Sequence, residues 1–151
     1  DIRDLSHSQD SIKIGDGSDF LAVNSDGSIN VVLNNDPTGD EINDYDTAAA
    51  IAAGSSDNHD YTVSAGKTLL LGQVFASASG KLKIELQVET GVATGVFNSK
   101  FVGFNSSASP NIDLGLKSPL SVAAGVRVRL IRTNKDNQAQ DLYSTISGQE
   151  V

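Results

Sequence analysis

Residues 55–60 are the stretch most able to do chemistry, because they read SSDNHD. Serine, histidine and aspartate are the side chains of a hydrolytic triad, in which the histidine activates a hydroxyl nucleophile. Such triads are assembled from residues that lie far apart in a sequence, however, and the chain has no GxSxG nucleophile elbow. We therefore predict that the protein is not an enzyme, and we interpret His59 as a turn residue beside a strand.

Clustered acids could supply a second kind of chemistry, the binding of a hard cation. Residues 16–27 partly match a calcium loop, but Ala22 breaks the DxDxDG spacing and no glutamate follows at the twelfth position. Aspartates in turns are more often turn formers and solubilising groups. We predict no metal site and no cofactor, although calcium stays open for the acids that could converge if residues 34–46 folded back: Asp36, Asp40, Glu41, Asp44 and Asp46.

Polar loops are the best candidates for ligand contact, because loops on a rigid scaffold carry binding residues disproportionately often. Sugar sites commonly use exposed aromatic side chains, and this chain has no tryptophan. We expect Tyr45, Tyr61 and Tyr143 to pack in the core or at a sheet edge. The loop residues that could hydrogen-bond a glycan are Asn105, Ser106, Ser107, Asn134, Lys135, Asp136 and Asn137.

The charges of the chain are unevenly distributed. Residues 1–60 carry 13 acids against Arg3 and Lys13, a net of −11, while residues 61–151 carry 6 acids against 9 bases, a net of +3, which together give the total of −8. An acidic segment repels phosphate, so a nucleic acid is excluded as its partner. The chain has no cysteine and no apolar run that approaches the ~20 residues of a membrane span, so we expect no membrane insertion.

Strict alternation of apolar and polar residues identifies the strands. Residues 82, 84, 86 and 88 are apolar while the residues between them are charged or amide, which is the pattern of a half-buried antiparallel strand. The same rule places Arg127 and Arg129 together on one outward face. A strand–VxAG–strand–loop–strand unit occurs twice, with its turns at Val63–Gly66 and Val122–Gly125. Two such units indicate a two-sheet sandwich with repeated halves.

The chain therefore divides into three predicted parts of an all-β protein. Residues 1–33 form a β-arm, because short β segments alternate there with Asp-Gly turns. Residues 34–46 are an acidic hinge, and residues 47–151 are a jelly-roll-like antiparallel β-sandwich. The alanine-rich residues 47–53 could start a helix, but Gly54 ends the run within two turns and we favour a strand.

Two parts of the sequence resemble a known class of proteins. Residues 1–33, DIRDLSHSQDSIKIGDGSDFLAVNSDGSINVVL, are similar to the recurring N-terminal stretch IRDL…DSV…GDG…LAVN.DGSINV in structural proteins of tailed bacteriophages. Residues 60–151, from DYTVSAGKTLLLGQVFASASGKLKIELQVETG through RTNKDNQAQDLYSTISGQEV, are similar to the β-sandwich domains that accompany that stretch, so the resemblance covers nearly the whole chain. The resemblance implies a virion protein of the tail, neck or capsid surface, with other virion proteins as partners. It supplies no catalytic residue.

This resemblance agrees with a mechanical role for the charged arm. We expect a homo-oligomer, preferably a trimer, in which the arm docks on a neighbour through unpaired strand edges. The alternative function is a host-surface adhesin or carbohydrate-binding module, with a host-surface glycan as the partner. Arg127 and Arg129 would meet carboxylates of the next subunit's arm, and the apolar anchors of the arm are Ile2, Leu5, Ile12 and Ile14.

Overall fold

The computed structural model describes residues 39–106 and 109–151, and every regular element within these two ranges is a β-strand. Within them, no helix is long and apolar enough to cross a membrane. The strands are β1 (Asp40–Ile51), β2 (Ser56–Thr62), β3 (Leu69–Ala78), β4 (Leu82–Glu89), β5 (Phe97–Phe104), β6 (Asn111–Val122), β7 (Arg127–Asn134) and β8 (Gln140–Glu150).

The strands form two antiparallel four-stranded sheets with the orders β1-β8-β3-β6 and β2-β7-β4-β5. β1 pairs with β8, β2 with β7, β3 with β6 and β4 with β5, so the chain makes one long antiparallel ribbon. The ribbon folds over so that β3 also pairs with β8, and β4 with β7. This is the strand order of a jelly roll. The predicted all-β, jelly-roll-like sandwich is therefore confirmed.

The core between the sheets is aliphatic, as expected for a chain so poor in aromatic residues. The alternation predicted for β4 places Leu82, Ile84 and Leu86 inside, each at most 1% exposed. Burying one such side chain contributes about 2 kcal/mol. The completely buried aliphatic residues come from both sheets and include Leu69, Leu71, Val74, Ile84, Val128, Leu130, Leu142 and Ile146.

The two VxAG turns lie side by side at one end of the sandwich. The Val63 amide donates to the carbonyl of Val126 at 3.1 Å, and the Gly125 amide donates to the carbonyl of Val63 at 2.9 Å. Gly66 and Gly125 both have a positive φ, 75° and 73°, which a residue with a side chain rarely adopts. Each turn carries the chain from one sheet to the other, so the sequence repeat marks corresponding crossings.

The sandwich begins earlier than predicted. β1 starts at Asp40, so residues 40–46 of the predicted acidic hinge are a strand that pairs with β8, and the alanine-rich residues 47–51 continue it. The hinge prediction was wrong there because the inward positions of this strand include Asp44 and Asp46, which hide the apolar alternation. The predicted arm, residues 1–33, and residues 34–38 lie outside the described residues.

β6 contains a proline in its interior. The strand passes through Ser118-Pro119 and continues to Val122. Proline cannot donate a ladder hydrogen bond and is tolerated on an edge strand or at a bulge. Both conditions hold here, since β6 is the edge of its sheet and its register with β3 shifts between Leu71 and Gln73.

Candidate functional site

The outer face of β7 carries a ladder of charge pairs. Arg127 donates from Nε and NH2 to the two carboxylate oxygens of Glu89, each at 2.9 Å. Arg129 makes the same two-pronged contact with Asp60, each at 2.6 Å. The two guanidinium carbons also lie 5.2 and 4.1 Å from the ring centroid of Phe97, within cation–π range. Both arginines therefore face outward, as predicted, and find carboxylates within their own chain.

Glu89 is the most strongly perturbed acid of this ladder. Its side chain is completely covered although the residue lies on the outer face. The hydrogen bonds from Arg127, and a further one from the Gly95 amide at 2.6 Å, hold the pKa of Glu89 at about 2. The carboxylate is thus charged at every physiological pH and pins the connection between β4 and β5.

A serine, a histidine and an aspartate meet between the two sheets. The Nδ1 atom of His59 lies 2.8 Å from Ser144 Oγ, and its Nε2 atom lies 2.9 Å from Asp44 Oδ2. Since a carboxylate only accepts, Nε2 carries a proton, and in the neutral ring Nδ1 accepts the Ser144 hydroxyl. The same three residue types make up a hydrolytic triad, but there Nε2 faces the serine and Nδ1 the aspartate, so the ring nitrogens have exchanged partners in this cluster of β1, β2 and β8. His59 lies within strand β2 and faces inward, so its interpretation as a turn residue was wrong.

Arg132 holds the neighbouring part of this interior cluster. The residue is completely buried on β7, and its NH2 atom donates to the carboxylates of both Asp46 and Asp57. Its NH1 atom donates to Ser144 Oγ at 3.0 Å and to the carbonyl of Asp46 at 3.1 Å. Within the described part of the chain, its Nε atom has no hydrogen-bond partner. The cluster ties β1 and β8 of one sheet to β2 and β7 of the other.

The burial of Ser144 decides what this cluster can do. Ser144 is 0% exposed, so a substrate carbonyl cannot reach its hydroxyl. A nucleophile must lie within reach of both its base and its substrate. His59 lies within hydrogen-bonding distance of both partners, but the serine is inaccessible to a substrate. The cluster therefore acts as a brace between the two sheets. Alternation would have found Arg132, because it shares the inward parity of Val128 and Leu130.

The predicted ligand loops meet at the end of the sandwich opposite the VxAG turns. A cleft of about 340 Å³ lies between the β3–β4 and β5–β6 connections. Gly80 is one of its lining residues, and a Cβ atom there would lie 2.2 Å from Asp136 Oδ2 and 2.7 Å from Gln140 Oε1. A larger residue at this position would therefore require both side chains to move. The cleft is lined by Ala78, Ser79, Gly80, Lys81, Asn105, Ser106, Pro110 and Asp136.

The polar side chains at this end of the sandwich mostly brace the loops. The Asn105 amide donates to the carbonyls of Gly80 and Pro110 at 2.7 and 3.0 Å, and its oxygen accepts the Leu82 amide at 2.6 Å. Asn134 is buried and makes four such contacts, with Ile51, Asp136, Gln138 and Gln140. These two asparagines keep little capacity for a ligand.

The Asp136 carboxylate also accepts hydrogen bonds from its own chain, whereas three of the other predicted loop residues are exposed. Backbone amides of Asn137 and Lys81 donate to the Asp136 carboxylate at 2.8 and 3.1 Å and lower its pKa. Asn137, Lys135 and Ser106 are exposed, whereas Ser107 lies outside the described residues. The structure thus brings the two predicted loops together around Gly80, and ligand contact by them stays a prediction.

The acids predicted as possible cation ligands do not converge. Asp44 and Asp46 point into the sandwich toward His59 and Arg132, whereas Glu41 lies on the opposite face of β1. No group of three or more histidine, cysteine or acidic side chains that could hold a metal occurs in residues 39–106 and 109–151. Asp36 lies outside those ranges.

The three tyrosines have different environments, and Tyr143 contradicts the sequence prediction. Tyr61 packs against the core and donates to Glu150 Oε1 at 2.7 Å, and burial and this acid raise its pKa. Tyr45 lies on the edge strand β1, where it is 60% exposed, whereas Tyr143 lies on the outer face of the central strand β8 and is 37% exposed. Their strands pair in the register that leaves these positions outward.

The predicted assembly residues divide between the two parts of the chain. Arg127 and Arg129 are described above, and their role in assembly stays a prediction. The arm anchors Ile2, Leu5, Ile12 and Ile14 lie outside the described residues. Comparison of the chain with protein-family models, with curated proteins and with solved structures finds no match.

Proposed function

We propose that the chain is a non-enzymatic structural or accessory protein of a tailed-bacteriophage virion, at the tail, neck or capsid surface. Two independent features support the proposal. Residues 1–33 resemble a recurrent N-terminal stretch of such proteins. The body of the chain is a jelly roll, an architecture that recurs in viral capsid and lectin domains.

One observation carries the non-enzymatic part of the proposal. In the strongest polar constellation of the described residues, His59, Arg132 and Ser144 are buried between the sheets, and their bonds join four strands. These hydrogen bonds and ion pairs hold the two sheets together. A rigid sandwich with braced loops suits a projecting mechanical module better than a catalyst.

The proposed mechanism assigns one task to each part of the chain. Residues 1–33 attach to neighbouring virion proteins, and the sandwich projects from the particle. The chain works as a homo-oligomer, for which we propose a trimer. Among the strands that the structure describes, those at the sheet edges are β1, β6, β2 and β5, and any of them offers backbone groups for pairing with an arm.

Labelling of intact particles tests the location. Antibodies raised against the full chain, coupled to gold, should decorate a symmetric set of positions on purified particles of the phage that encodes it. Antibodies against an unrelated cytosolic phage protein serve as the control. Particles that lack both label and the chain's mass in a denaturing gel would contradict the proposal.

Mass measurement tests the anchoring arm. Native mass spectrometry of the full chain should show a trimer, and Ile12→Asp with Ile14→Asp should convert it to a monomer without loss of β structure in circular dichroism. Val92→Asp with Val96→Asp is the matched control, since these exposed valines lie in the β4–β5 connection. A monomeric wild-type chain, or an arm variant of unchanged mass, would count against this mechanism.

A host-surface adhesin is the second candidate function, and it is compatible with the first because adhesins can be virion components. The specific observation in its favour is the exposure of Tyr45 and Tyr143 on one sheet face. Exposed aromatic rings are the feature that sugar sites commonly use, and two tyrosines supply it in a chain without tryptophan.

A further inference from the structure

Twelve outward positions of the first sheet form a regular grid around three aromatic rings. Strand pairing aligns them in three rows of four, running from β6 through β3 and β8 to β1. The rows are Asn111, Ser77, Tyr143 and Thr47; then Asp113, Phe75, Thr145 and Tyr45; then Gly115, Gln73, Ser147 and Asn43. None of the twelve is buried.

The rings are spaced across the sheet rather than packed against one another. Phe75 and Tyr45 share a row but lie on β3 and β1, so their backbones are about 10 Å apart, or two strand spacings. Tyr143 lies between them on β8, one row away, which is about 7 Å along the strand. The rings therefore offer separate stacking surfaces to an extended ligand that crosses the strands.

The side chains around the rings are almost entirely hydrogen-bonding and uncharged. Apart from one glycine, the remaining positions are serine, threonine, asparagine and glutamine, with a single acid, Asp113, which accepts a 2.6 Å hydrogen bond from Gln73. Hydroxyl and amide groups can both donate and accept. A surface of rings among such groups matches a sugar chain, whose rings expose C–H faces and whose rims carry hydroxyls.

The charge of this face limits the class of ligand. Asp113 is the only charged residue in the grid, and the same strands carry two further acids, Glu41 and Asp141, and one base, Lys117, beside it. A net negative surface repels sulfated, phosphorylated or carboxylated polysaccharides. The same acids oppose a second copy of this face. A protein partner is also a poor fit, because the cores of protein interfaces are depleted in serine and rich in apolar residues, and the grid has no aliphatic side chain.

We infer that the outer face of the β1-β8-β3-β6 sheet is a binding site for a neutral glycan, with Tyr45, Tyr143 and Phe75 as its stacking surfaces. The site is distinct from the loop end, where the sequence placed ligand contact. It deepens the adhesin candidate and does not require the chain to be part of a virion. Thr145, Thr47 and Ser77 separate the rings and are placed to bond the hydroxyls of the sugar.

Titration with soluble oligosaccharides tests the site on the full chain. The probes are cellohexaose, maltohexaose and the hexamer of N-acetylglucosamine, with heparin as the anionic comparison. Because the chain has no tryptophan, the emission comes from Tyr45, Tyr143 and Tyr61, of which the first two lie on the grid, and calorimetry gives the affinity. At least one neutral hexaose should bind saturably and tighter than heparin. Tyr45→Ala and Tyr143→Ala should each weaken it about tenfold.

Conservative and matched variants keep the result unambiguous. Tyr45→Phe and Tyr143→Phe preserve the ring and should retain affinity within about twofold. Phe104→Ala removes a 66% exposed ring from the other sheet and should leave binding unchanged. The inference is overturned by a folded chain that binds none of the neutral probes, by stronger binding of heparin, or by alanine variants that bind normally. It is also overturned if Tyr143→Ala dissociates an oligomer, since the face would then be a subunit interface.

These outcomes are separable from those of the proposed virion role. Gold labelling of particles does not depend on the tyrosines, and hexaose binding does not depend on the particle. A labelled particle whose chain ignores all three hexaoses would leave the virion role intact and remove the glycan site.

Discussion

The outer faces of the two sheets follow the same alternation and yet have opposite chemistry. On the β2-β7-β4-β5 sheet, Arg127 and Arg129 form bidentate pairs with Glu89 and Asp60 above the ring of Phe97. On the β1-β8-β3-β6 sheet, the twelve-position grid has exposed rings and a single acid. On the first face the charged side chains are paired within the chain, whereas on the second face the two tyrosine rings are exposed to solvent. The first face therefore stabilises the sandwich, and the second offers ring surfaces to a ligand.

The interior cluster adds a third arginine of β7 to this comparison, and it should give the largest effect. Arg132→Met removes a completely buried cation that bonds Ser144 and two carboxylates, so the free energy of unfolding should fall by about 3 kcal/mol. Arg129→Met breaks a pair in which both side chains reach solvent, 22% and 30% exposed, and should cost at most about 1 kcal/mol. Urea denaturation followed by circular dichroism measures both. Equal losses would show that the interior cluster adds no more than the outer ladder.

Acid should weaken the charged face through Glu89. The pKa of Glu89 is lowered from 4.5 to about 2, so its contribution to stability is fully present above pH 4.5 and is lost as the pH falls toward 2. Lowered pKa values of Glu85 and Glu150 act in the same direction. Urea denaturation of Glu89→Gln between pH 2 and 7 should show a flatter acid limb than the wild-type chain.

A matched variant controls for the acid limb. Glu41→Gln removes an exposed acid of the other sheet and should retain the wild-type slope. If Glu89→Gln and the wild-type chain lose stability in parallel, the bond between Glu89 and Arg127 is not the source of the acid sensitivity.

Charge reversal of the outer ladder separates assembly from folding. Arg127→Glu with Arg129→Glu should lower the mass of the oligomer at low salt, because an acidic arm would then be repelled. It should also lower the midpoint of thermal unfolding, since Glu89 and Asp60 lose their partners. Asp60→Asn breaks one of the same pairs without adding negative charge, so it should lower the midpoint and keep the mass. An unchanged mass in the reversed variant would remove both arginines from the interface.

The smallest stability effect is expected on the grid. Tyr45→Ala and Tyr143→Ala remove exposed side chains that take no part in the core, so the free energy of unfolding should change by no more than about 0.5 kcal/mol. Binding of the hexaose should nevertheless be lost in the double variant. A large destabilisation would mean that the rings support the sheet, and the contrast between the two faces would fail.

Much of the fold could be predicted from local pattern, while the sites could not. Alternation identified β4 and the outward side of Arg127 and Arg129, and the early stop at Gly54 favoured a strand for the alanine run. It failed for residues 40–46, where inward aspartates replaced the expected apolar residues. Alternation also gave no signal for His59, because this histidine is isolated among polar residues, and the residue was therefore interpreted as part of a turn.

The sequence by itself determined that this protein is a jelly-roll-like sandwich, since a period of two and the turn glycines are properties of neighbouring residues. Only the tertiary structure decided that Asp44, His59 and Ser144 meet, that Arg132 is enclosed by carboxylates, and that Tyr45, Tyr143 and Phe75 share one open face. Those relations depend on which distant strands pair and in what register. The pairing is fixed by burying all the apolar faces together, and no single segment contains that information.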